Sequence, residues 1–361
     1  LAGRYHSGRS FRTASRWSQF VTIAMAQLAG RNSLRDIVEN ISAQGHRLYH
    51  LGSAQLSRSN LSRINAGKPY GLYEALFGKL LSRCQGMAPG HDFRFKNPLY
   101  SLDASTIDLC LSVFPWADFR TTKGAIKLHV GLNHVGYLPE FLTVTEGKVG
   151  DVSVGRTLKF PKGSIVAIDR GYNDYGWYNQ LTEKGIFFVT RLKSNAKIRV
   201  IERRAVLAEK GLSSDQSIEF TGTQTAQKCP IPLRRIGYRD PQTDKHYVFL
   251  TNNFKLAAKT IADIYKARWQ VELFFKWIKQ NLKIKSFIGT SKNALMTQIW
   301  IALCVYLLLA FIKFQSKLQK SLQQILRLLH LNLFEKRDLM ALLRGDPPGN
   351  QQIAINQLAL L

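Results

Sequence analysis

The chain reads as an α/β protein whose sheet is interrupted by a mostly β insertion, with a basic helical region in front of it. Three observations predict this. Apolar and polar residues alternate over residues 126–132 ahead of a turn, a wholly apolar run at 165–168 stops at an acid, and a helical stretch from residue 260 keeps its apolar residues on one side. In chain order, residues 99–107 make an apolar run that reaches Asp103 and then turns to small polar residues, which suits a strand ending in an acid. Ile126, Leu128, Val130 and Leu132 alternate with Lys127, His129 and Gly131, and His134-Val135-Gly136 turns the chain into 137–145, giving an antiparallel hairpin. A helix and then the continuous run 165–168 follow, a pattern expected of a strand buried on both faces. Asp174 begins a helix that reaches Lys184 and is closed by Gly185, and 186–191 is the next strand.

The interval from Asp169 to Glu272 far exceeds the roughly 30 to 40 residues that one helix and one strand occupy. Strand patterns fill it at 198–202, 217–221, 233–238 and 247–251, with Asp240-Pro241-Gln242-Thr243-Asp244 as a turn, so a mostly β subdomain is expected there. The helix beyond it starts at Thr260, where Thr260 and Asp263 form a capping-box-like pair, and lies across the sheet.

Charge narrows the partners. The 361 residues carry 51 Lys and Arg against 24 Asp and Glu, a formal net charge of +27, which favours a polyanion. In residues 1–63 the cations are mainly arginines, and Asp36 and Glu39 are the only acids. Residues 34–38, a turn near Gly45 and residues 56–64 resemble a helix-turn-helix-like DNA-binding module. Cys84, Cys110, Cys229 and Cys304 show no paired spacing, so reduced structural thiols are expected rather than a zinc site or disulfide framework. The first twenty residues hold no apolar leader segment, and the apolar run at 299–312 is short of the ~20 residues a spanning helix needs, so a soluble core helix is expected there. The chain begins at Leu1 without a methionine, which suggests a missing upstream piece, and no function is assigned to the tail from Pro347.

Tyr265, Arg268, Glu272 and Lys279 stand at offsets 0, 3, 7 and 14, which a continuous helix places within about 60° of one another. Ile264, Val271, Phe275, Ile278 and Leu282 form an apolar stripe beside them. The spacing Y-x2-R-x3-E-x6-K resembles the signature of the insertion-sequence-four family of DDE transposases. Asp103 to Ile107 and Asp169 to Tyr172 are similar to the surroundings of that family's two aspartates. Thr145-Glu146-Gly147-Lys148 and Val189-Thr190-Arg191-Leu192-Lys193 match as well, and the resemblance spans residues 34–344. Asp108, Asp118, Asp151 and Asp174 are rival acids, but none follows a four-residue apolar strand.

The resemblance implies a ribonuclease H-like catalytic core over 93–345, with its β-rich insertion at about 192–258, behind a helical DNA-binding region at 1–92 and before a tail at 346–361. It implies Asp103, Asp169 and Glu272 as catalytic metal ligands for two divalent ions, Mg2+ or Mn2+, and Tyr265, Arg268 and Lys279 as DNA-binding residues. Cleavage and strand transfer on double-stranded DNA, a homodimer on paired element ends, and a cytoplasmic, nucleoid-associated protein without a membrane follow from it. A catalytically impaired DNA-binding relative that inhibits transposition is the alternative.

Overall fold

β1 (Leu99–Leu109), β2 (Asp118–Arg120), β3 (Lys123–Asn133) and β4 (Leu138–Glu146) open one of two compact units, Ala88–Trp277. The structure, a computed structural model, describes residues 4–5, 15–120, 123–282, 284 and 286–347. Arg9 and Arg12, with Lys283, Lys285 and the tail from 348, lie outside the described residues. β3 runs antiparallel to β1 and to β4, and its alternating residues Ile126, Leu128, Val130 and Leu132 are all buried. The turn into β4 places Gly136 and Tyr137 at φ 68° and 53°, and the glycine adopts that backbone without strain.

β5 (Ile165–Ile168) is buried along its whole length and pairs in parallel with both β1 and β6 (Phe187–Arg191). The helix Tyr175–Glu183 makes the crossover between β5 and β6. Asp174 caps it by accepting the Trp177 N–H at 2.7 Å, and Gly185 closes it at φ 68°.

β7 (Ile198–Arg204), β8 (Leu212–Phe220), β9 (Leu233–Arg239) and β10 (His246–Thr251) make up the insertion. Its strands do not form a separate subdomain. The sheet runs β2-β3-β1-β5-β6-β10-β9-β8-β7 with β4 on β3, because β10 returns to pair antiparallel with β6. One ten-stranded sheet therefore carries both parts.

Successive strand residues alternate between two apolar clusters. Tyr100, Leu102, Val166 and Ile168 pack on one side with Trp177 and Tyr178 of the crossover helix. Leu99, Ile165, Ala167 and Val189 pack on the other with Ile261, Ala262 and Ile264 of the helix Ala258–Ala267. That helix enters at Ala257, not at a Thr260–Asp263 capping box. The carboxamide oxygen of Asn253 accepts the Lys255 and Leu256 N–H groups at 3.0 and 2.9 Å, and Asp263 pairs instead with Lys259 one turn back.

The other unit, Leu1–Met87 with Ile278–Leu361, is helical in its described residues. It cuts across the expected 93–345 grouping, because the long helix Lys292–Ser316 packs against the helices Arg16–Leu28 and Gly71–Gln85. This helix has 25 residues, more than the apolar run alone suggested and enough to cross a membrane by length. Its most apolar window is 83% buried inside the protein, as a core helix requires. Phe77 tilts against Trp300 at 5.3 Å within that core. In the N-terminal region Ser33 caps Leu34–Ala43 and Ser57 caps Arg58–Gly67, and the expected turn at Gly45 is itself a short helix, Gly45–Leu48.

Candidate active site

The pairing of two strands brings the first two acids together. The parallel ladder between β1 and β5 ends at Leu102 opposite Ile168, so Asp103 and Asp169 are the next residues on neighbouring strands. Parity gives both the face of Leu99, Ile165 and Ala167, the face covered by the Ala258–Ala267 helix. Asp103 does not end its strand as the sequence suggested. β1 continues to Leu109 because β3 still pairs with it there, and what ends at Asp103 is its pairing with β5. Asp169 does leave its strand, and its carboxylate accepts the Gly171 N–H at 3.4 Å to start the turn Arg170–Tyr172.

The expected single helix from residue 260 is two, Ala258–Ala267 and Trp269–Asn281, joined at Arg268. There the ladder tightens to three-residue spacing, with Arg268 N–H donating to Tyr265 O and Val271 N–H to Arg268 O. The apolar stripe is unaffected, since Ile264, Val271, Phe275, Ile278 and Leu282 are all buried.

Arg268 then turns its guanidinium into the acids. Nη1 donates to Asp103 Oδ2 at 3.0 Å, Nη2 donates to Glu272 Oε1 at 2.6 Å, and Nη2 lies 3.9 Å from Asp169 Oδ1. Its side chain is only 11% exposed, so it is committed to the carboxylates and not displayed on the surface. Burial works against its charge, yet Asp103, Tyr265 and Asp169 outweigh that and raise its pKa. Asp103 moves up to about 6: burial is the main cause, and the carboxylates of Asp169 and Glu272 add to it against the opposing pull of Arg268 and the Ala104 N–H. One cation is shared among three acids and does not fully compensate the most buried of them.

The Arg268 guanidinium lies over the Tyr265 ring at 5.6 Å, and that ring is tilted against Phe249 at 5.0 Å. Lys279 is half-buried two turns beyond Glu272 on the same helix, about 10 Å along its axis. Among the rival acids, Asp151 pairs with Lys127 at 3.0 Å and Asp174 serves as the helix cap. Among the described residues, no three His, Cys, Asp or Glu side chains stand close enough to chelate a metal, and the Arg268 guanidinium stands between the three acids.

A cavity of about 390 Å³ opens beside this cluster, lined by Asp169, Arg268 and Glu272 together with Arg191, Tyr247 and Phe249. Arg191 and these rings were not singled out from the sequence. The Val189–Lys193 match held the only signal for Arg191, and the rings read simply as strand residues.

The sequence profile of the transposase DDE domain matches residues 94–308, and that of a domain of unknown function (DUF4372) matches residues 1–54. A Sinorhizobium fredii protein named as a transposase is 33% identical over 294 residues, spanning 80% of this chain and 80% of its own length. A Geobacillus stearothermophilus protein named as the transposase of an insertion sequence element is 29% identical, spanning 74% of this chain and 70% of its own. The cryo-EM structure of the piggyBac transposase synaptic complex with hairpin DNA aligns with 95% of this chain and 75% of its own at a TM-score of 0.50. Identity there is 12%, so the likeness is one of fold, and it agrees with a ribonuclease H-like core. The domain profile spans more than half of the chain and the first relative spans most of it: the chain belongs to the DDE transposase family.

Proposed function

We propose that this transposase cuts DNA at the ends of its insertion sequence and joins the freed ends to target DNA at Asp103, Asp169 and Glu272, which hold two divalent ions. The observation that carries this reading is the convergence of three carboxylates, from β1, from the end of β5 and from the Trp269–Asn281 helix, on one guanidinium. In donor chemistry the three acids suit Mg2+ or Mn2+, and to chelate an ion they would close on the place that the Arg268 guanidinium now takes. The donor set is all carboxylate oxygen, and Arg268 already stands in for the positive charge these acids require. Such ions, when bound, supply charge neutralisation at the phosphoryl group and activation of the attacking oxygen.

The chain's own residues do the positioning. β1 and β5 fix the two aspartates on adjacent strands of a buried sheet, and the docked apolar stripe fixes Glu272. Once the acids have another counter-charge, the two Nη groups of Arg268 are free to take phosphate oxygens bidentately. Tyr265 supports that guanidinium by its ring face, and Lys279 extends the cationic track along the helix. The piggyBac neighbour was captured as a synaptic complex with hairpin DNA, and we carry over from it DNA as the partner; since this chemistry must hold two duplex ends together, the working form in this reading is a dimer on paired ends. A bacterial enzyme of this kind works in the cytoplasm on nucleoid DNA.

Asp103→Ala, Asp169→Ala and Glu272→Ala should each lower nicking of an element-end duplex by more than about a hundredfold, the scale for losing one preorganised electrostatic group. Binding of the same duplex should persist, because the basic surface is untouched. Gel-shift and nicking assays on one fragment decide it, and wild-type nicking by any of the three variants would sink the assignment.

A further inference from the structure

A second cavity, of about 250 Å³, lies at the same end of the sheet and shares Arg191 with the first. Its charged lining is entirely cationic: Arg170, directly after Asp169, Arg191, Lys193 and Arg235. Among the described residues none of these four forms an ion pair with a carboxylate. Elsewhere in the insertion, Arg199, Arg204, Arg234 and Arg239 are matched by carboxylates. On β9 the neighbouring Arg234 is buried and bidentate to Asp215, with Nε and Nη2 at 2.8 and 2.6 Å from the two carboxylate oxygens. Arg235 points to the other face, where its hydrogen-bond partners are neutral, Gln216 Oε1 at 2.7 Å and Ser214 Oγ at 3.4 Å. Burial, with repulsion from Arg203, lowers its pKa, so this charge is held at a cost that a bound anion relieves.

Ligands of sheets with parallel strands collect beyond the carboxyl ends of those strands, and this cavity sits past the ends of β5 and β6 beside Asp169. We propose that Arg170, Lys193 and Arg235 form a second phosphodiester-binding site, which holds the DNA strand where it leaves the acid cluster and runs onto the insertion. The proposal rests on the DNA-cutting reading above. Cations without an internal counter-charge are what a backbone track needs, because each phosphate contact contributes about 0.9 to the slope of log affinity against log salt.

The test uses full-length protein in calcium buffer with a labelled duplex carrying the inverted repeat that flanks the gene. Lys193→Ala with Arg235→Ala should reduce the salt slope by about two and weaken binding at moderate salt by roughly tenfold or more. Lys193→Arg with Arg235→Lys should restore the slope, since the role is charge. A second arm measures capture of supercoiled target by protein already bound to a pre-cut end. Loss in the first arm identifies the element end as the strand held, and loss in the second alone identifies the target; either supports the site. Unchanged slopes and unchanged capture in a wild type that binds and nicks would overturn this inference and leave the acid-cluster reading standing. A wild type that binds no duplex would overturn both.

Discussion

In the acid-lined cavity the Arg268 guanidinium meets three carboxylates, whereas in the cavity next to it Arg170, Lys193 and Arg235 meet none of the described ones. Both lie at one end of one sheet and share Arg191, so the difference is not one of overall charge. The first place holds anions rigidly together by spending a cation on them. The second leaves cations unmatched, which is stable only because their side chains stay partly in water. The chain's cations therefore fall into two classes, those matched to acids for structure and those, part of the net excess of 27, held ready for a polyanion.

The sharpest way to break this comparison sets Arg234 against Arg235. Arg234→Ala takes the bidentate partner from Asp215, whose side chain is only 6% exposed, leaving it Arg204 alone at 3.4 Å, and should cost about 3 kcal/mol. Arg235→Ala removes a cation with neutral partners and should cost less than about 1 kcal/mol. Urea midpoints of the two variants measure the gap. Equal losses would mean that Arg235 is as structural as its neighbour.

A smaller effect follows from the Asp103 carboxyl, at about 6 in the folded chain against an ordinary 3.8. Between those values the folded chain keeps a proton that the unfolded chain has lost, so stability falls as pH rises from about 4 to about 6, by at most about 3 kcal/mol. Asp103→Asn cannot ionise. Its melting temperature relative to wild type should climb through that window and level off above it, in metal-free buffer. A flat difference would show that Arg268 compensates the acid fully.

The smallest expected change is at Lys279. Lys279→Ala should flatten the salt dependence of end binding by about one, whereas Glu272→Gln should leave it unchanged and bind equally well or tighter. An unaltered slope for Lys279→Ala would make that lysine a bystander of the track.

Much of the acid cluster was legible because its cues are local. Four apolar residues before Asp169 announce a buried strand, and the apolar stripe fixes the rotation of the helix carrying Glu272. Asp103 was placed correctly on its strand but not at its end, since the end of pairing depends on the length of β5, a distant segment. The break at Arg268 has no glycine or proline to mark it; Ala267, Arg268 and Trp269 are ordinary helix residues, and the irregularity coincides with contacts to β1 and to the end of β5. The insertion's strands were readable from their own residues, but not the pairing that made them part of one sheet, because register joins segments far apart in sequence.

That pairing limits how the insertion can vary. Phe249, Leu250 and Thr251 of β10 hydrogen-bond along β6, and Asn252 holds the Phe188 N–H at 2.9 Å. Excising residues 192–258 would strip β6 of a neighbour and turn an interior strand into an open, apolar edge, which invites other chains to add to it. β7, at the far margin of the sheet, carries no such duty. Lengthening or shortening of the insertion is therefore tolerable from the outside inward, with β10 as the keystone that any viable version must retain.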